Sequence, residues 1–210
     1  SKLTRPDLDL GPQFKKVDLS TLSSHPPIVG SPATTPPLAL VWEGVWADES
    51  ATQAFATQLA QALTTWPGGR DARIELRGNL GAGKTTLVRH LLRAAGVQGR
   101  IKSPTYAVVE PHHAGSGDSA WPIWHFDFYR FNDPQEWEDA GFRDIFAGPG
   151  LKLMEWPDKV AGQLPPPDWV IALDALDEEQ RSVHISAGTP RGQHWLQAWL
   201  ATPAGAEHAR

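Results

Sequence analysis

The chain contains no cysteine among its 210 residues. This excludes disulfides, Cys-ligated zinc and thiol catalysis together. No apolar run approaches the roughly 18 residues that a membrane-spanning helix needs. The opening decapeptide, SKLTRPDLDL, lacks the apolar core of a signal peptide. A soluble, cytoplasmic protein is the expectation. Positive charge is not in excess either: 19 Lys and Arg stand against 24 Asp and Glu, for a net charge of −5. That balance argues against bulk-charge binding to nucleic acid. It leaves room for a local basic face, or for an RNA-related role played through a partner.

What is present is an ordinary globular balance, 40% hydrophobic and 20% charged. The length suits one domain of roughly 150 residues with an appendage. Seven prolines fall in residues 1–40, with no helical or strand periodicity between them. Such a stretch cannot bury enough apolar area to offset its ordering entropy. It is expected to be a mobile or extended Pro-rich extension. Residues 41–203 then form the domain, and 204–210 a flexible tail. The ten tryptophans suggest no chemical role of their own.

Periodicity places the elements. LALVWEGV (38–45) is a strand. A helix runs from about Ser50 to Thr65, with Phe55, Leu59, Ala62 and Leu63 on one face and Asp48 or Ser50 as its cap. ARIELRG (72–78) alternates as a strand, and a second helix spans Lys84 to Ala95, ended by Gly96. KSPTYAVVEPH (102–112) joins a Pro-containing turn to a strand, and WPIWHFDFYR (121–130) is its hairpin partner. In 132–141 Asp133, Pro134 and Glu136 mark a helix start. LKLMEWP (151–157), DWVIALDAL (168–176) and RSVHISAG (181–188) are strands, the last two a hairpin. HWLQAWLA (194–201) is a final helix.

Between the second strand and second helix lies the chain's most specific signal. Gly78, Asn79, Leu80, Gly81, Ala82, Gly83, Lys84 and Thr85 match G-x-x-x-x-G-K-[ST] at every position. The glycines allow backbone N–H groups to turn toward phosphate oxygens. The helix that follows adds its dipole and its unsatisfied amides. Lys84 suits the β- and γ-phosphates, and the Thr85 hydroxyl suits Mg²⁺. Thr86 follows as a further nucleotide-site residue. A second acid is needed near the cation at a strand's carboxyl end. Glu155, closing an apolar strand, is the best candidate. In HFDFYR, strand alternation puts His125, Asp127 and Tyr129 on a polar face and Phe126 and Phe128 on the other. That puts an acid, Asp127, and an imidazole, His125, side by side on the polar face. Thr105, with Ser103 second, is the candidate for a loop that senses the γ-phosphate. An ordinary turn built on Ser and Thr side chains is the alternative. His125 could equally be a satisfied core residue, Trp156 could line the site or simply pack, and Lys102 and Arg130 could meet phosphate, a partner or solvent.

LRGNLGAGKTTLVR (76–89), KSPTY (102–106), HFDFYRF (125–131) and MEWPDK (154–159), in this order and spacing, resemble the bacterial TsaE (YjeE) family. The likeness covers about residues 43–188. It implies an α/β fold of the P-loop NTPase type: one domain, a three-layer sandwich, a central mixed sheet flanked by helices. It implies an ATPase required to form N6-threonylcarbamoyladenosine at position 37 of tRNAs that read ANN codons. ATP and Mg²⁺ would be the cofactors, and the TsaD transferase and its companion TsaB the partners, with tRNA reached through that complex. Residues Glu136 to Ile145 and the turn at 103–106 would be contact surfaces. Glu155 would bind magnesium, Asp127 would lie near the metal and serve hydrolysis beside Lys84 and Thr105, and Thr52 and Arg181 match nucleotide-contacting positions. The chain departs from the family pattern in a Gly/Ser-rich loop at 113–120 and in Phe128, where an aliphatic residue is common.

Other functions fit less well. A P-loop small-molecule kinase commonly carries an Arg-rich lid, and no Arg cluster follows Arg130. A Ras-type GTPase needs an N-K-x-D motif, which is absent. Adenine specificity therefore follows from the resemblance alone. A nucleotide-bound scaffold that hardly hydrolyses is the non-enzymatic alternative.

Overall fold

The computed structural model describes residues 40–104, 106–131, 137 and 141–202. The proline-rich extension, the C-terminal tail, Thr105 and the helix start at Asp133, Pro134 and Glu136 lie outside the described residues, as does much of the 136–145 segment. In chain order the elements are β1 (Val41–Trp46), α1 (Glu49–Thr65), β2 (Arg73–Arg77), α2 (Lys84–Ala94), β3 (Val109–Ala114), β4 (Trp121–Asp127), α3 (Phe142–Ala147), β5 (Leu151–Glu155), β6 (Trp169–Ala175), β7 (Arg181–Ala187) and α4 (Pro190–Leu200).

The strands form one mixed sheet in the order β1-β7-β6-β2-β5-β4-β3. β6, β2, β5 and β4 run parallel. The hairpin partners β7 and β3 close the two sides antiparallel, and β1 pairs with β7. β5 is buried at every residue, as a central parallel strand covered on both faces must be.

The central strands β4 and β5 divide their side chains between two cores. Leu151 and Leu153 of β5, Ile74 and Leu76 of β2, and Trp169, Ile171 and Leu173 of β6 face a large core shared with α1, α2 and α4. Met154 of β5 and Phe126 of β4 face a second, aromatic core with Phe128, Phe131, Trp137 and Phe142 of α3. The sheet is thus the middle of three layers. Phe128 stacks 5.5 Å from Phe126 and meets Phe131 edge-on at 5.4 Å. Its aromatic ring is a packing element of that second core.

Some boundaries differ from the sequence reading. β1 is shifted to 41–46. β4 stops at Asp127, because Asp127 Oδ1 accepts from the Tyr129 amide at 3.0 Å and turns the chain. Tyr129 therefore leaves the face that His125 and Asp127 share, and its ring packs on Trp156 instead. That face is interior, with His125 and Asp127 both buried. β5 stops at Glu155, where Trp156 takes a left-handed backbone (φ 58°). α4 begins at Pro190, not His194. Thr189 caps it by accepting from the Gly192 amide at 3.0 Å, and Pro190 occupies a position whose missing N–H costs nothing. No helix among the described residues is long and apolar enough to cross a membrane.

Candidate functional site

The parallel strands β2, β5 and β4 end together at one edge of the sheet, and the candidate residues collect there. The glycine turn leaves β2 at Gly78, whose backbone has φ 134°. A Cβ at Gly78 would lie 2.1 Å from the Leu173 carbonyl oxygen. Only glycine lets the loop leave the sheet this closely against β6. Gly83 sits at the N-cap of α2 with φ 101°, and no side chain caps the helix. The first-turn amides are therefore the donors that a phosphate would meet. Leu80 stands exposed at the loop's tip.

Lys84 is buried at the start of α2. Its Nζ donates to the carbonyls of Gly78 at 2.6 Å and Asn79 at 2.9 Å, and lies 4.0 Å from the centre of the Trp156 ring. Burial lowers the ammonium's pKa from its ordinary value; the nearby carboxylates Glu155 and Asp127 act in the opposite direction. The left-handed turn at Trp156 is what brings its ring over Lys84.

Thr85 Oγ1 donates to Glu155 Oε2 at 2.8 Å. The other carboxylate oxygen, Oε1, lies 2.9 Å from His125 Nε2. Asp127 pairs in register with Glu155 across β4 and β5, and its Oδ2 accepts from Ser103 Oγ at 2.8 Å. Hydroxyl and carboxylate oxygens thus gather at the mouth of the loop, the donor set that Mg²⁺ prefers. Among the described residues no group of three or more His, Cys, Asp or Glu side chains could hold a metal ion. A cation here would use Thr85, one or two carboxylates, and oxygens from phosphate and water, the pattern of magnesium in phosphate sites.

On the other side of the loop lies a cleft of about 420 Å³. Trp46, Thr52, Ala82, Gly83, Thr86 and Arg181 line it, with acidic residues of the α1 start and the β6–β7 turn at its rim. Thr52 and Arg181, far apart in sequence, meet here. Arg181 reaches over the loop: a Cβ at Gly83 would lie 3.6 Å from its Nε. The carbonyls of Asp177, Glu178 and Gln180 hold Nη1 at 2.8–3.3 Å. The cleft reaches the loop but not Glu155 or Asp127, so the site has a carboxylate side and a cleft side.

Ser103 joins the site through Asp127. Lys102 is exposed, and the Arg130 guanidinium lies 4.4 Å from the centre of the exposed Tyr106 ring. The sequence reading missed the acidic rim, Asp48, Glu49, Glu178 and Glu179, and the Trp46 wall. No motif marks them. The carboxylate that follows each of two strand–turn junctions was the available signal for the rim.

This fold and this loop define a P-loop α/β protein. The family model described as threonylcarbamoyl adenosine biosynthesis protein TsaE matches residues 46–183. The chain belongs to the TsaE family. It is 37% identical over 152 residues to the tRNA threonylcarbamoyladenosine biosynthesis protein TsaE of Haemophilus influenzae, covering 72% of this chain and 93% of that protein. The Aquifex aeolicus protein of the same name is 32% identical over 150 residues, covering 70% and 98%. The crystal structure of Bacillus subtilis YdiB superposes with a TM-score of 0.59 at 24% identity, covering 82% of this chain and 99% of that one, a likeness of fold.

Proposed function

We propose that this chain binds and hydrolyses ATP with Mg²⁺ as a component of tRNA N6-threonylcarbamoyladenosine formation, acting on a TsaD and TsaB transferase complex. One observation carries the nucleotide reading: Lys84 and Thr85 stand at the mouth of a glycine turn, facing Glu155 and Asp127 on two neighbouring strand ends.

In this reading Lys84 exchanges its two carbonyl acceptors for β- and γ-phosphate oxygens. The turn's amides and the α2 N-terminus hold the phosphates. Gly78 to Gly83 shape that cradle, and Thr86, Thr52 and Arg181 line the cleft that takes the nucleoside end. Thr85 and Glu155 hold the magnesium, with Asp127 beside them. A bound magnesium ion supplies charge neutralisation and orientation for the terminal phosphates. Asp127, buried and fixed by Ser103 and the Tyr129 amide, is placed to orient the attacking water. Thr105, two residues after Ser103 in sequence, serves as the γ-phosphate sensor. Turnover is weak alone and depends on partners, and the transfer chemistry belongs to TsaD. The family membership supports the pathway assignment.

Titration calorimetry with ATP, ADP and GTP, with and without magnesium, tests the binding half. Magnesium-dependent affinity for adenine nucleotides is expected. Thr85→Ala should weaken that dependence, whereas Asp127→Ala should keep binding and lose at least about tenfold in turnover. Equal turnover in wild type and Asp127→Ala would remove the hydrolytic role.

A further inference from the structure

We infer that His125 is a positioning residue: its buried imidazole, 2.9 Å from Glu155 Oε1, fixes the carboxylate so that Oε2, against Thr85, is the oxygen offered to the cation. This role rests on Glu155 serving as a magnesium ligand.

The geometry sets which ring nitrogen donates to Glu155. His125 is fully buried on β4 and Glu155 nearly so on β5. An ionised carboxylate only accepts hydrogen bonds, so Nε2 carries the proton. Nδ1 is buried and has no hydrogen-bond partner among the described residues. A proton there would be a donor without an acceptor. The proton that faces Glu155 is therefore the one on Nε2, assigned from its surroundings.

The consequence falls on Glu155. The terminal torsion of a glutamate is broad and nearly two-fold, so a lone strand-end carboxylate would present either oxygen, or both. Here one oxygen is committed to His125 and the other meets Thr85 at 2.8 Å. A single oxygen is thus presented, in a fixed plane, next to the hydroxyl. That suits Mg²⁺, which demands near-octahedral geometry and keeps several waters, better than a two-oxygen grip. Groups that orient ligating carboxylates from behind typically contribute a factor of about 10–100 in metal affinity.

The test uses the full chain, ADP as nucleotide and Mn²⁺ as a spectroscopic substitute for magnesium, read by electron paramagnetic resonance. His125→Leu should weaken Mn²⁺ binding about 10- to 100-fold while metal-free ADP affinity, read by calorimetry, stays unchanged. His125→Gln, whose side-chain amide can donate near the Nε2 position, should recover most of the loss; a purely space-filling role would not give that ranking. Unchanged Mn²⁺ affinity in His125→Leu overturns the inference. Glu155→Gln separates the two levels. If it retains Mn²⁺ affinity, Glu155 is not a ligand and the underlying reading fails. If it loses affinity while His125→Leu does not, only the positioning role fails. Should His125→Leu not fold, nitrogen NMR of the wild-type imidazole decides: the Nε2–H tautomer supports the role, and the Nδ1–H tautomer overturns it.

Discussion

A buried lysine needs acceptors, and Lys84 finds them in the loop it follows, at the carbonyls of Gly78 and Asn79. Those bonds hold the ammonium at the mouth of the turn. At the opposite edge of the sheet, Asp168 plays a structural counterpart. It is almost fully buried. Its Oδ1 accepts from Thr189 at 2.6 Å and its Oδ2 from Arg191 at 2.5 Å and the Arg73 amide at 2.9 Å. Burial pushes its carboxyl pKa up, but these hydrogen bonds outweigh burial and hold it below the ordinary carboxylate value. A depressed folded pKa contributes stability that is present above the unfolded pKa and lost as pH falls through the folded one. Asp168→Asn should therefore cost about 1–3 kcal/mol at neutral pH, toward the low end because Arg191 is partly exposed and can hydrate. The gap to wild type should close as pH falls below about 4. Urea melts across pH 3–7 check both parts, and a pH-independent gap would rule out the charge as the cause.

The elements that sequence patterns place best are those whose caps and periodicities agree. The turn from Gly78 to Thr85 and helix α2 were legible because the motif needs a strand before and a helix after, and both stand there. The β3–β4 hairpin followed from alternation around a Gly/Ser-rich loop, and the β6–β7 hairpin from two late strands close in sequence. The gathering of Glu155, Asp127 and Thr85 was legible only as separate candidates; their meeting depends on β4 and β5 being parallel neighbours in register, which no local pattern encodes. His125 remained open for the same reason: only the fold puts it beside Glu155. The missed start of α4 has a local cause. Thr189-Pro190 is a capping signal, but the Gly192 that follows weakens helix propensity. Gly192 is tolerated because α4 lies against β6 there: a Cβ would lie 2.0 Å from the Asp168 carbonyl oxygen. Thr189 both caps α4 and bonds Asp168. Thr189→Ala should cost about 1–2 kcal/mol, slightly more than a surface cap, read as a lower denaturation midpoint at an unchanged slope. A loss of a few tenths would mean that the cap adds little to the packing.

At the scale of the molecule, the tryptophans without a chemical reading turn out to fasten the C-terminal helix. α4 follows the span matched by the family model, yet it is built into the main core. Trp195 stacks on Trp66 at the end of α1 at 5.5 Å, and Trp199 meets Phe55 of α1 edge-on at 5.3 Å and Trp169 of β6 at 6.2 Å. These contacts tie α1, β6 and α4 together on the face of the sheet that carries α2. α1 also supplies Thr52 to the cleft, so the rings brace one wall of the site from behind. Truncating Trp199 removes a buried ring and leaves a cavity between three elements. Trp199→Ala should cost about 3–5 kcal/mol. Trp199→Phe should cost much less than that, for two reasons. It keeps most of the aromatic area, and it removes an indole N–H that is buried without a partner among the described residues. Thermal and urea melts of both variants, with magnesium-dependent ADP affinity measured on the folded protein, give the comparison. Large destabilisation with affinity intact would mark the ring cluster as support for the fold as a whole. A matching loss of ADP affinity in Trp199→Phe would instead show that packing of α1 sets the cleft directly.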